Sequence, residues 1–187
     1  MIPCGRTWKI ERMSVRKPST VDRESPLLGL AVIDKDNILE GRFDLKGVAD
    51  SAGQRTLSRE SDLVFRQESE ASKSALLVCH WRLTGMSQNS ATPTDWLVKL
   101  SSRIANLHCE CPAEVAAARF LQRKRHPGHL DWARSQVQIL TSLQGLVRFQ
   151  PPVIGERVSV DSSAEINVED LAGKISKAFD CPPDLVG

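Results

Sequence analysis

A basic segment between residues 119 and 129 carries the side chains best suited to chemistry. Arg119 and Arg123 lie four residues apart and are followed by further basic residues, namely Lys124, Arg125, His126 and His129. Guanidinium groups bind phosphate oxygens in a bidentate fashion, so this segment suits a polyanion such as a phosphate. The alternative is an ordinary solvated basic face, which composition alone favours about as strongly.

A strand and a helix are predicted to position these arginines. The short apolar run Ile104–Cys109 is typical of a buried strand. Pro112 then stands where a first helical residue is favoured, and a helix is expected from Ala113 up to Pro127-Gly128. On such a helix Arg119 and Arg123 share one face.

Acidic and polar residues follow the other predicted strands. Asp34 and Asp36 come directly after the apolar run Leu27–Ile33, His80 follows the run Ala75–Cys79, and Asp161 follows Val158–Val160. Strands that alternate with helices indicate a parallel sheet covered on both faces, and ligands bind outside the carboxyl ends of its strands. The sequence therefore predicts a ligand site where these polar residues meet.

The remaining segments are assigned from periodicity and turn residues. Residues 44–56 are expected to be a loop, and 57–74 a helix with Ser58 and Ser61 as possible caps and Leu63, Val64 and Ala71 buried. Further predicted elements are a weak strand at 7–13, the start of a helix at 37–43, a surface loop at 83–95, and helices at 94–102, 130–143 and 168–179.

Length and composition limit the function classes. The 187 residues suit a single domain spanning 1–187, and 25 Lys and Arg against 23 acids give a net charge of +2, which argues against a dedicated nucleic-acid binder. The five cysteines are odd in number, as expected in a reducing cytosol. No run is long enough for a membrane span, and the start lacks a signal peptide's apolar core, so a cytoplasmic protein without membrane contact is expected. The oligomeric state stays open.

Four stretches together resemble a known family. They are LGLAVIDKDNILEG, ALLVCHWR, IANLHCECPAEVAAARFLQRKRHPGHLD and VSVDSSAEINVEDLAGKI. Across residues 14–178 they are similar to P-loop small-molecule kinases of the AAA-like ATPase group, the relatives of zeta toxins, gluconate kinases and chloramphenicol phosphotransferases. The resemblance implies a three-layer α/β fold with a parallel sheet flanked by helices. It also implies ATP and Mg²⁺ as cofactors, and transfer of phosphate from ATP to a small hydroxylated acceptor.

The phosphate-binding loop of that family corresponds to SVRKPSTVDRE in this sequence. Lys17, Ser19 and Thr20 resemble the end of a Walker A motif and would hold the phosphates, with Ser19 also on the metal. Both glycines are missing, and Pro18 separates the lysine from the hydroxyls. Glycines let a backbone wrap phosphates, and proline removes an amide donor, so this Walker A is degenerate.

The resemblance assigns further roles by position. Asp34 or Asp36 would orient or deprotonate the acceptor hydroxyl, although Asp36 also suits a helix N-cap. Arg119 and Arg123 would neutralise charge on the transferred phosphoryl group from a lid at about residues 119–134. Asp161 and Ser162 would lie near the nucleotide base, although a turn-forming aspartate explains that position equally well.

Other interpretations are kept beside this one. Cys109, Cys111, His126 and His129 offer zinc-ligand types, but the Cys spacing is tighter than usual. His80 and His108 are expected to be core or edge residues, and Trp81, Trp96 and Trp132 to be core. The rival to the kinase is a non-catalytic relic, a nucleotide-binding or interaction module that kept the sheet and lost the phosphate cradle.

Overall fold

A computed structural model describes residues 30–100 and 103–180, together with the short strands Ile2–Pro3 and Glu24–Ser25. In chain order the strands are β1 (Ile2–Pro3), β2 (Glu24–Ser25), β3 (Leu30–Asp34), β4 (Ala75–Val78), β5 (Ala105–Cys111) and β6 (Glu156–Asp161). The α-helices are α1 (Lys35–Lys46), α2 (Ser51–Ala71), α3 (Leu97–Leu100), α4 (Ala113–Gln122), α5 (Gln136–Gln144) and α6 (Val168–Asp180). Short 3₁₀ turns cover Pro127–His129, Asp131–Ala133 and Gly145–Arg148.

The described strands form two three-stranded sheets, in the orders β2-β3-β4 and β1-β5-β6. In each, the central strand pairs in parallel with a long neighbour and antiparallel with a two-residue strand. The register places Asp34 opposite Val78, and Glu110 opposite Asp161. Parallel pairing of neighbouring strands is thus confirmed, whereas the three-layer arrangement and the single domain spanning 1–187 remain predictions.

Two apolar clusters hold the helices against these sheets. One gathers Ile33, Phe65, Cys79, Trp96, Leu97 and Ile154 around β3 and β4. In the other, Leu171 and Ile175 of α6 pack on Cys109, Val158 and Val160. Because side chains alternate along a strand, the opposite face of β5 and β6 carries polar residues, including His108, Glu110 and Arg157.

Helix α2 corrects the prediction of a loop over residues 44–56. It begins at Ser51, because the side chain of Asp50 accepts hydrogen bonds from the amides of Ala52 and Gly53 at 2.9 and 2.8 Å. Its buried face consists of Leu57, Ser61, Phe65 and Ser69. This face turns Leu63 outward with 65% of its surface exposed, leaves Ala71 exposed and Val64 half-buried, and places Ser58 and Ser61 inside the helix rather than at its cap.

The helix predicted at 130–143 is shorter in the structure. Leu130 has a left-handed backbone (φ 55°) between two 3₁₀ turns, and α5 begins only at Gln136. There Ser135 and Gln138 form a reciprocal capping box. Trp132 lies in the second turn with 79% of its surface exposed, so its prediction as a core residue is wrong, while Trp96 is buried and Trp81 half-buried.

The segment 83–95, predicted to be a surface loop, has no regular helix or strand but is partly internal. Thr92 is 1% exposed, and its amide donates to the carbonyl of His80 at 2.9 Å. In the part of the chain that the structure describes, no helix has the length and apolarity needed to cross a bilayer.

Candidate active site

The carboxyl end of β3 delivers Asp34 and Asp36 into the first turn of α1. Oδ1 of Asp34 accepts a hydrogen bond from the amide of Asp36 at 2.9 Å, so Asp34 is the N-cap of α1. The capping alternative considered for Asp36 therefore applies to Asp34 instead. Asp36 does not cap the helix, and its carboxylate extends toward the basic segment.

Asp36 is the acidic end of a network that reaches Arg123. Oδ2 of Asp36 accepts from Nη2 of Arg125 at 2.6 Å. Arg125 also contacts Oδ2 of Asp131 at 3.3 Å, and Asp131 in turn accepts from Arg123 at 3.3 Å. The structure thus brings the predicted basic segment to the end of β3, with Asp131 as the bridge.

Arg119 contacts a different part of the predicted site. Its guanidinium donates to the carbonyl oxygens of Ser162 and Ser163, just after β6. Ser162 itself is buried and donates to the carbonyl of Glu110, while Oδ1 of Asp161 accepts from the Ser163 amide at 2.8 Å. This hydrogen bonding lowers the pKa of Asp161 below its usual value. One predicted lid arginine therefore adjoins the predicted nucleotide-base residues.

The expectation that Arg119 and Arg123 share a helical face is wrong. Helix α4 ends at Gln122, and Arg123 is its C-cap with an extended backbone (ψ 140°). Pro127 keeps the preceding His126 extended as well (ψ 134°). The guanidinium of Arg123 lies 4.1 Å from the centre of the Phe120 ring, and its Nε is buried without a hydrogen-bond partner among the described residues.

His126 and His129, considered as zinc ligands, pair with acids of α1. Nε2 of His126 lies 3.0 Å from Oδ1 of Asp44, and Nε2 of His129 lies 3.0 Å from Oε1 of Glu40. Sequence reasoning did not select these two acids. Glu40 and Asp44 follow Asp36 at intervals of four residues, which was a usable signal because this spacing places all three acids on one helical face.

A buried ion pair stabilises the turn that carries Asp34 and Asp36. Lys35, 7% exposed, lies 2.5 Å from Asp62 and 3.0 Å from the hydroxyl of Thr92, with Ser58 at 3.4 Å. The Thr92 hydroxyl donates to Asp62 at 2.9 Å. Burial raises the pKa of the neighbouring Cys79 thiol well above its usual range, so that thiol is protonated. This cluster, which the sequence did not predict, fixes loop 83–95 and α2 against the end of β3.

A cleft of about 200 Å³ lies on the polar face of β5 and β6. It is lined by Glu110 and Arg157, which are 3.2 Å apart, and by the buried His108. Phe149 and Pro151 also line it. Burial and the charge of Arg157 lower the pKa of His108, which agrees with the prediction of a core or edge histidine. His80, the other histidine so predicted, is exposed after β4.

The degenerate Walker A residues Lys17, Ser19 and Thr20 lie outside the described residues, as does the strand predicted at 7–13. Within the described ranges, no group of three or more His, Cys, Asp or Glu side chains is arranged to hold a metal ion. The arginines have the right chemistry for phosphate, but in this arrangement each donates to a carboxylate or carbonyl of the protein itself.

Comparisons with known proteins bear on the fold. No family model matches the chain, and the comparison with curated proteins found no match. A solved structure named "putative kinase" from Chloroflexus aurantiacus J-10-fl superposes with a TM-score of 0.53, over 81% of this chain and 82% of that one, at 14% sequence identity. At that identity the likeness concerns the fold alone. The chain is a mixed α/β protein with short parallel strands, built like that structure.

Proposed function

We propose that the chain is a P-loop kinase-like phosphotransferase that moves a phosphoryl group from ATP to a small hydroxylated acceptor. The observation that carries this proposal is the contact between Arg125 and Asp36, with Asp131 linking Arg123 into the same network. It gathers carboxylates and guanidinium groups outside the carboxyl end of a parallel strand, which is where ligands bind in such sheets. The fold shared with the structure named "putative kinase" supports the same class.

The chain's own residues would divide the work as follows. Asp36 would take the proton of the acceptor hydroxyl while the hydroxyl oxygen bonds to the γ-phosphorus of ATP. The bond between that phosphorus and the β–γ bridging oxygen would break, and ADP would leave. Asp34 sets the direction of Asp36 by capping α1. Arg119 and Arg123 offset charge on the phosphoryl group once they exchange their present partners.

The nucleotide would be held by residues whose roles rest on the sequence resemblance. Lys17, Ser19 and Thr20 would hold the phosphates, with Ser19 also on Mg²⁺, and Asp161 with Ser162 would adjoin the base. The contact of Arg119 with the Ser162 carbonyl supports placing the base near the lid. No nucleic acid or membrane partner enters the proposal, and the cytoplasm remains its expected compartment.

Ligand-induced stabilisation tests ATP binding. We expect the melting temperature of the full chain to rise with millimolar ATP and Mg²⁺, and the rise to be lost in Lys17→Ala, because a ligand that binds only the folded state stabilises it. Turnover is then measured as ADP release with a panel of small polyols and sugars. Asp36→Asn should lower turnover at least 100-fold, whereas Glu70→Gln, at an exposed position of α2, should not.

A second candidate, the non-catalytic relic, is favoured by the internal pairing of the arginines. Both Nη atoms of Arg119 donate to backbone carbonyls, and Arg123 and Arg125 share Asp131. Arginines with such internal partners can stabilise the fold without any catalytic role. A melting temperature that does not change with millimolar ATP and Mg²⁺ would overturn the kinase proposal and favour a non-catalytic interaction module.

A further inference from the structure

Helix α1 carries a row of three acids that matches three basic residues of the following lid segment. Asp36, Glu40 and Asp44 recur every four residues and form an acidic stripe. Each has one partner in residues 123–131, hereafter the strap. The pairs are Asp36 with Arg125 at 2.6 Å, Glu40 with His129 at 3.0 Å and Asp44 with His126 at 3.0 Å.

Apolar packing fixes the strap in the same position. The Phe43 ring lies 5.4 Å from the ring of His126 and 5.2 Å from that of His129, centre to centre. Gly128 lies so close to Phe43 that a Cβ there would come within 2.4 Å of the ring. From α2, the side-chain amide of Gln54 donates to the backbone carbonyl of His129 at 2.8 Å. The Arg125–Asp36 ion pair, the two histidine–carboxylate contacts and this packing together define one specific docked state.

We infer that the strap is a releasable latch that ties up the carboxylate of Asp36. In the docked state Arg125 occupies Oδ2 of Asp36, so this oxygen cannot accept the proton of an acceptor hydroxyl. Undocking separates Arg125 from Asp36 and frees that carboxylate. This inference rests on the proposed function for the role of Asp36, but the docking itself is a property of the chain alone.

Acid should favour undocking. The charged groups around His129 are Glu40 and Asp36 from α1 and Arg125 from the strap, while α2 contributes the neutral amide of Gln54. Burial and Arg125 outweigh the two acids and lower the pKa of His129 from its ordinary 6.5. A group with a lowered pKa in the docked state stabilises that state fully above 6.5, and the contribution is lost as the pH falls through the lowered value.

Hydrogen exchange of the full chain, read by mass spectrometry, tests the latch without ATP. We expect amides of the strap, residues 123–131, to exchange at least 10-fold faster in the double variant Glu40→Gln with Asp44→Asn. The matched control is Glu60→Gln, which removes the two ion pairs of Glu60 with Arg42 and Lys46 of α1 but touches no strap residue. Its strap should exchange as in the parent protein.

Two further measurements keep the outcome decisive. After correction for intrinsic exchange, strap exchange in the parent should rise between pH 7.5 and 5.5, and His129→Gln should flatten that rise. Peptides of α2 report whether the double variant is still folded. If it is not, Glu40→Gln alone replaces it. Unchanged strap exchange in a folded variant overturns the latch, whereas failure of the proposed function appears separately, as absent ATP stabilisation.

Discussion

Arg125 and Asp36 are 89 residues apart in the sequence, yet Nη2 of one lies 2.6 Å from Oδ2 of the other. The contact joins the segment after α4 to the first turn of α1. It depends on the strap packing closely on α1, because the ion pair at Asp36 is half exposed and such pairs contribute little by themselves.

Replacing Gly128 tests how closely the strap packs. In Gly128→Ala the new methyl would lie 2.4 and 2.6 Å from two atoms of the Phe43 ring, which forces the strap or the ring to move. We expect the free energy of unfolding, measured in urea, to fall by about 1–3 kcal/mol. In Gly41→Ala, within helix α1 that carries Phe43, the new methyl meets open space, and the free energy of unfolding should rise by about 0.5–1 kcal/mol. Equal effects of the two changes would contradict close packing.

Lys35 lies between the two predicted catalytic acids and is the centre of a buried polar cluster. Lys35→Met removes the ammonium group, so Asp62 loses its ionic partner and keeps only the hydrogen bond from Thr92. Breaking such a buried pair costs about 3–5 kcal/mol of unfolding free energy. Lys46→Met, whose side chain is 52% exposed and pairs with Glu60, should cost less than about 1 kcal/mol. Denaturant unfolding of both variants decides the point, and a small loss in Lys35→Met would refute a buried anchoring role.

Strand positions and their parallel pairing could be predicted, because buried strands are continuous apolar runs. The runs ALLVC and IANLHC correspond closely to β4 and β5, and the apolar spacing of residues 168–179 to α6. These elements bury the apolar residues that define them, so local pattern and tertiary packing agree.

Helix ends were harder to predict, because they depend on single side chains. The Ser, Ala and Gly after Asp50 have loop-like composition, and only the two hydrogen bonds to the Asp50 carboxylate show that α2 starts there. Arg123 has good helix propensity, but its backbone is extended while its guanidinium lies over Phe120 and contacts Asp131. Such long-range partners are not visible in a local window of sequence.

The candidate site was only partly predictable for the same reason. Asp34, Asp36 and the basic residues were selected by type and position, and the structure places Asp36 beside Arg125. Glu40 and Asp44 were not selected, although their spacing from Asp36 places them on the same helical face, and Asp131 has no local feature that distinguishes a pairing role. The functional roles themselves stay predictions.

His108 should make stability depend on pH. Its pKa is lowered by burial and by Arg157, so the folded protein favours the neutral ring. The stabilisation is complete above the ordinary value of 6.5 and is lost as the pH falls through the lowered value. Unfolding free energies in urea between pH 7.5 and 5.5 should therefore decline more steeply in the parent protein than in His108→Gln. Identical declines would contradict the assignment.

Arg119 separates a packing role from a purely catalytic one. Its two Nη atoms donate to the carbonyls of Ser162 and Ser163, so the side chain ties α4 to the turn after β6. Arg119→Met should lower the unfolding free energy by about 1.5–3 kcal/mol, because hydrogen bonds to charged groups contribute that much. Arg134→Met, an exposed arginine that donates to Ser142, should change it by less than about 0.5 kcal/mol. If Arg119→Met is as stable as the parent, the carbonyl contacts are weak and the guanidinium is available to a phosphate. A clear loss means that any catalytic use of Arg119 must first break the link between α4 and the end of β6.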